Sequence, residues 1–230
     1  MTATFRKLEP EAIVATIDRL SRAIQERFPG SGLGAVSREL LEVARETQVK
    51  ADESVQPLSL LRVVFGVLIG VLVLGLVVVP FAATAPRAFA LPELVQVTEA
   101  FMNIVVLAGG AVFFLATAER RLRRRRVLFG LNELRALAHV IDMHQLAKDP
   151  QRVIEPGFVM TGPELSHYLD YCSEMFSLIG KLAAVYAARL EDPEIIAAVN
   201  EVEALTTGLS RKVWQKIMVL QSGLVSEARK

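Results

Sequence analysis

An uninterrupted apolar run, VVFGVLIGVLVLGLVVV from Val63 to Val79, constrains this chain more than any other feature. It holds no charged and no strongly polar side chain, and Leu58, Leu60, Leu61 and Phe81 extend it at its two ends. At a rise of about 1.5 Å per residue, about 20 helical residues cross a hydrocarbon core of roughly 30 Å. A strand needs no such length, and a helix on the surface of a soluble domain carries polar residues along one side. The run predicts a membrane-spanning helix over residues 58–81.

A second run, FMNIVVLAGGAVFFLATA from Phe101 to Ala118, has one interior polar residue, Asn103, and stops at Glu119-Arg120. Leu94, Val95 and Val97 lengthen it, and Pro92 suits a first helical turn, where a missing N–H costs nothing. This predicts a second spanning helix over 96–118, with a short extracytoplasmic loop at 82–95. Basic residues mark the cytoplasmic side. The loop has Arg87 against Glu93 and Glu99, whereas the segment 119–131 carries Arg120, Arg121, Arg123, Arg124, Arg125 and Arg126. Both termini are therefore expected in the cytoplasm, on a multi-pass protein of the cell (inner) membrane. Met1–Gln56 has no continuous apolar stretch of the kind a cleavable leader needs, so the first span is expected to serve as its own insertion signal.

The six arginines read as a topological anchor whose guanidinium groups meet anionic lipid headgroups, at about 1 kcal/mol each near the surface. Phosphate contacts to nucleic acid are the other use of such a run. No aromatic residue interleaves for base stacking, so nucleic acid is not an expected partner. Within the spans, Gly66 and Gly70 form a GxxxG pair, and Gly109 and Gly110 sit between Ala108 and Ala111. Small residues allow close helix approach, which serves hairpin packing and dimerisation equally. Asn103 alone could line a pore, which argues against transport.

Charge divides the chain in the same way. Residues 1–57 have 8 basic and 9 acidic side chains, 58–126 have 8 and 3, and 127–230 have 10 and 13. Positive charge gathers at the membrane exit, and the flanks are mildly acidic, the reverse of a nucleic-acid-binding bundle. The single cysteine, Cys172, excludes a disulfide-stapled scaffold.

The flanks read as helical. Glu9-Pro10-Glu11 opens a helix with the apolar stripe Ile13, Ile17, Leu20, Ile24 and Phe28, which Pro29-Gly30-Ser31-Gly32 ends. A second runs from about Leu33 to Lys50, with Leu33, Val36, Leu40, Val43 and Thr47 on one side and no evident cap. Further on, Asn132 is placed to cap a helix running to about Lys148. Thr161-Gly162-Pro163-Glu164 forms a capping box for a middle helix, and Asp192-Pro193-Glu194 repeats that logic for the last one. The middle helix spaces Leu165, Tyr168, Cys172, Met175, Ile179, Leu182 and Tyr186 by threes and fours, and the last repeats the pattern from Ile195 to Leu220. Such patterns predict antiparallel helices at small crossing angles. The expected fold is all-α: a two-helix transmembrane hairpin, short N-terminal cytoplasmic helices over 1–57, and a cytoplasmic three-helix bundle over 132–230.

Chemistry is sparse. His139 with Asp142 and His167 with Asp170 repeat one His-x-x-Asp pattern, which stacks each pair on one helix face. Facing helices could converge the four on a metal, with Glu174 one turn further along. His144 lies off that face. Trp214, with Arg211 and Lys216, offers a partner surface. No nucleophile and base arrangement and no glycine-rich phosphate loop stands out, and no cofactor is expected. The function that follows is a membrane-anchored, non-enzymatic interaction or scaffolding protein. It would self-associate as a homo-oligomer or join another protein of a membrane complex. A metal-binding helical enzyme or sensor, or a small subunit of a larger membrane complex, is the alternative.

Overall fold

The computed structural model describes residues 8–55, 66, 69–70, 73, 91–146, 148, 160–187 and 192–227. Among them are five helices and no strand: α1 Pro10–Arg27, α2 Gly32–Val55, α3 Leu91–Leu146, α4 Gly162–Ala187 and α5 Pro193–Glu227. Most of the first apolar run, the 82–90 part of the loop, and 149–159 lie outside the described residues. Two compact units emerge, Met1–Val55 with Arg124–Lys230, and Gln56–Arg123.

The first unit has one core built from every helix that enters it. The α1 stripe Ile13, Ile17, Leu20, Ile24 and Phe28 is buried, as are Leu33, Val36, Leu40 and Ala44 of α2. They join Val127, Leu131, Leu134, Ala138 and Ile141 of α3 in the same cluster as the heptad residues of α4 and α5. Helix α4 is the centre: Leu169, Phe176, Leu178, Ala183 and Val185 are buried beside its seven heptad residues, so it is covered on more than one face. The N-terminal helices are thus not a separate element beside a three-helix bundle. Their apolar stripes, too short to make a core alone, are covered by α4, and Phe28 packs edge-on against Tyr168 and Tyr171 with centroids 5.6 and 6.3 Å apart.

Polar contacts fix the directions. Ser173 and Ser210 hydroxyls lie 2.7 Å apart, so α4 and α5 run antiparallel, with Gly180 opposite Thr206. Helix α3 is antiparallel to α4, since Gly130 packs on Tyr186 while the Lys148 ammonium stands 5.7 Å over the Tyr168 ring. Helices α3 and α5 are therefore parallel. Arg124 pairs with Asp192 and Glu194, Arg135 reaches Glu201 at 3.8 Å, and the Lys216 ammonium donates to the Gln145 carbonyl at 2.8 Å. Consecutive helices of this set thus alternate in direction, which leaves α3 and α5 pointing the same way.

Helix starts follow the sequence in three places, and caps depart from it in two. Thr161 N–H donates to Glu164 Oε2 at 2.8 Å and Glu164 N–H to Thr161 Oγ1 at 3.4 Å, a reciprocal capping box. Glu194 N–H donates to Asp192 Oδ1 at 3.0 Å at the start of α5. Helix α1 begins at Pro10, as the Glu9-Pro10-Glu11 signal predicts. By contrast, α2 does have a cap, with Gly34 N–H donating to Ser31 Oγ at 3.1 Å. Asn132 caps nothing, because α3 passes through it without a break. Gly30, at φ 72°, occupies the left-handed region that closes the α1–α2 turn.

Two internal polar chains are satisfied. Gln25 Nε2 donates to Ser21 Oγ, Ser21 pairs with Ser37 at 3.1 Å, and Ser37 donates to the Gly34 carbonyl, which stitches α1 to α2. The buried Tyr186 hydroxyl donates to Thr47 Oγ1 at 3.2 Å, and Thr47 donates to the Val43 carbonyl at 2.7 Å, tying α4 to α2.

Candidate functional site

The feature with the clearest physical role is the apolar part of α3. Met102–Leu146 contains an 18-residue stretch of mean hydropathy 1.7, none of it buried, and among the described residues it is the one helix long and apolar enough to cross a membrane. Ile104, Val105, Val106 and Leu107 are consecutive and all exposed. At 100° per residue they cover the whole circumference of the helix. Phe113 and Phe114, at 75% and 71% exposure, extend the same condition. A large apolar side chain favours leaving water by about 1.5–3 kcal/mol, so a helix apolar on every side belongs in a core or a bilayer. Among the described residues no core covers this one.

The glycines that the sequence places in the two expected spans have no described neighbour pressed on them. A Cβ placed at Gly66, Gly70, Gly109 or Gly110 would meet no atom within 4 Å among the described residues. Asn103 is exposed.

The arginine run divides by environment. Arg123 pairs with Glu119 one turn back. Arg124 is taken by Asp192, at 3.6 Å, and by Glu194, and it therefore anchors α3 to the start of α5 rather than facing outward. Its hydrogen bond to Glu194 raises its pKa further. Arg120, Arg121, Arg125 and Arg126 are exposed. Four of the six therefore present their guanidinium groups outward, and two are used locally.

The His/Asp pairs do not gather. Among the described residues no three His, Cys, Asp or Glu side chains stand where one ion could be held. His139 and His167 are both exposed. The Asp142 carboxylate accepts from the Gln145 amide of its own helix. Asp170 instead lies beside Glu174, whose carboxyl is pushed up first by burial and then by that neighbouring charge. His144, off the His139 face, packs its ring on the α carbon of Gly32 at the start of α2, where any side chain would collide with it.

Of the residues expected to meet a partner, Trp214 is 56% exposed and Arg211 is exposed, but Lys216 is engaged internally at the end of α3. That internal role escapes sequence reasoning because Lys216 and Gln145 are 71 residues apart. Gln145 itself is 1% exposed, and its Oε1 has no donor among the described residues. A shallow groove of about 450 Å³ follows the α4–α5 seam, floored by Phe176, Gly180 and Thr206, with the Lys181 ammonium donating to Ser177 Oγ at 2.6 Å.

Cys172 is fully buried on the heptad face of α4, and burial pushes its thiol up to about 12. The thiolate, the reactive form, is then scarce in the folded state. Alkylation by iodoacetamide at pH 8 is expected only when the unit opens, so its rate should rise with urea in step with unfolding. Because the folded pKa is the raised one, this group's contribution to stability is complete below the unfolded thiol pKa. It is lost as pH climbs from there toward 12. Fast labelling of the folded protein would contradict the burial.

No family model, no curated protein and no solved structure matches this chain.

Proposed function

We propose that the chain is a membrane-anchored, non-enzymatic interaction or scaffolding protein that spans the membrane twice and holds its helical unit on the cytoplasmic side. The observation that carries this reading is the shared core of the two flanks. Met1–Val55 and Arg124–Lys230 form one compact unit, joined by buried contacts such as Tyr186 to Thr47. Segments packed side chain to side chain lie on one side of any bilayer, so the chain between them crosses an even number of times. The apolar stretch of α3 supplies one crossing, and Val63–Val79 has the length and composition for the other. The outward-facing Arg120, Arg121, Arg125 and Arg126 favour the cytoplasm as the shared side, and anionic headgroups as their contact.

The interaction role rests on what the helical unit offers. Its single thiol is buried, and its heptad residues fill its own core, so an outward function falls to the exposed surface. Self-association, or association with another membrane-complex protein, is the use we infer for it. Native mass spectrometry of gently solubilised, untagged chain tests this. A homo-oligomer or a defined hetero-complex is expected, and a strict monomer would remove the reading.

Topology has its own test. In a Cys172→Ser background, cysteines placed at Ala88 and at Ser222 should label differently in intact cells. Impermeant maleimide should reach Ala88→Cys from outside and reach Ser222→Cys only after permeabilisation. Labelling of both from outside would overturn the arrangement. In the same assay, Leu107→Arg should disfavour insertion by about 2.5–3.5 kcal/mol, seen as extractable protein in alkaline carbonate.

A further inference from the structure

One arginine of the exit run is used differently from its neighbours, and its contacts are of a kind that can be exchanged. Arg120, Arg121, Arg125 and Arg126 are exposed. Arg124 is instead held by Asp192, with Nε 3.6 Å from Oδ2, and by Glu194. Among the described residues these two carboxylates are the charges that act on it. The clamp is open to water: the Arg124 and Asp192 side chains are 30% and 31% exposed, and Glu194 is 63% exposed. An ion pair so placed is weak, because water and salt screen it.

Each partner has a second place to go. Asp192 also accepts from Glu194 N–H at 3.0 Å, and Glu194 lies in the first turn of α5, where the helix end attracts negative charge. Ile195 is 1% exposed, so the start of α5 stays seated in the core whether or not Arg124 is bound. Arg124 in turn comes six residues after Ala118, the end of the apolar run, which in a helix is about 9 Å. The headgroup layer is about 5–7 Å deep on each side of the hydrocarbon, and the length of an arginine side chain covers the difference. A contact to an anionic headgroup is of the same order as an exposed ion pair, so neither home of Arg124 outweighs the other.

We propose that Arg124 is a lipid-sensitive latch. In a zwitterionic leaflet it ties α3 to the start of α5, and in an anionic leaflet it passes to a phospholipid phosphodiester and lets that end of α5 go. By linkage, Asp192 and Glu194 weaken lipid binding at the exit as much as lipid weakens the clamp. The assignment rests on the membrane reading above and names the regulation of its exit site.

The full chain in a neutral detergent would be titrated with phosphatidylglycerol, with bound lipid counted by native mass spectrometry. Asp192→Asn/Glu194→Gln should raise the affinity about fivefold, the value of one more headgroup contact. Asparagine caps a helix as well as aspartate does, so α5 should start unchanged. In an Arg124→Gln background the same two substitutions should change nothing. A gain that persists without Arg124 would mean that the carboxylates act by repulsion at a distance, and equal binding by wild type and the carboxylate variant would mean that no exchange occurs; both overturn the latch. A second reading comes from melting in nanodiscs. Arg124→Gln and Glu194→Gln should be non-additive in phosphatidylcholine and additive in phosphatidylglycerol. The same coupling in both lipids overturns the proposal, and its loss on adding inorganic phosphate at matched ionic strength would assign the site to a free anion instead of lipid. Wild-type chain that is released by alkaline carbonate would remove the membrane reading itself. A chain that stays embedded while its coupling ignores lipid removes the latch alone.

Discussion

Ile24→Ala is expected to destabilise α4 and α5 together with α1, by about 3 kcal/mol. Ile24 is fully buried in α1, in the same core cluster as Leu169 and Phe176 of α4. Removing three carbons there leaves a cavity that the neighbours fill only partly, and a domain has only about 5–15 kcal/mol to lose. Because the N-terminal helices and Arg124–Lys230 are one unit, the loss should appear everywhere in it. Native-state amide exchange of the full chain in nanodiscs checks this: protection at Leu169 and Phe176 should fall by the same factor as protection at Leu20. If α1 alone loosened and α4 kept its protection, the two flanks would be separate modules, and the even-crossing argument would fall with them.

Gly130→Ala should also destabilise, which reverses the usual sign. In a helix interior alanine normally gains about 1 kcal/mol over glycine. Here a methyl group at residue 130 would collide with the Tyr186 hydroxyl and stand 3.1 Å from its Cζ. Tyr186 is 2% exposed, so any shift of its ring must displace core side chains. Displacing it overpacks the core, at about 1–3 kcal/mol, and disturbs the buried bond to Thr47, worth about 1 kcal/mol. Tyr186→Phe removes the colliding oxygen, so the cost of Gly130→Ala should shrink in that background. A double-mutant cycle by chemical denaturation reads the coupling as more than about 0.5 kcal/mol. A more stable Gly130→Ala protein would mean that α3 and α4 do not approach this closely.

Gly130 also illustrates which features could be read before the structure. As one glycine in a periodic stretch it leaves the continuity of α3 open, and only Tyr186, 56 residues later, explains it. Information carried within one helix was readable. The stripe from Ile13 to Phe28, the heptads of α4 and α5, the capping box at Thr161 and the burial of Cys172 all depend on neighbours three or four residues away. Information carried between distant helices was not. A capping residue such as Asn132 has the same side chain inside a helix as at its start. Arg124 looks like its five companions until Asp192 and Glu194 arrive from the next helix but one. The four-residue His/Asp cluster required two faces to turn toward each other, and periodicity fixes a face only relative to its own helix. The parallel pairing of α3 with α5 likewise depends on α4 lying between them.

The bond from Thr47 to Tyr186 joins residues 139 positions apart. During synthesis at about 5–20 residues per second, the N-terminal hairpin is therefore complete for roughly 7–28 seconds before its partner helix exists. In that interval Ile13, Ile17, Leu33 and Leu40 lack the α4 side chains that complete their core, while the intervening segment is still being made. The order of manufacture thus leaves the first-made part of the fold dependent on the last. A ribosome stalled or a message truncated before residue 186 would release a chain with an open apolar hairpin, the kind of surface that chaperones and proteases recognise.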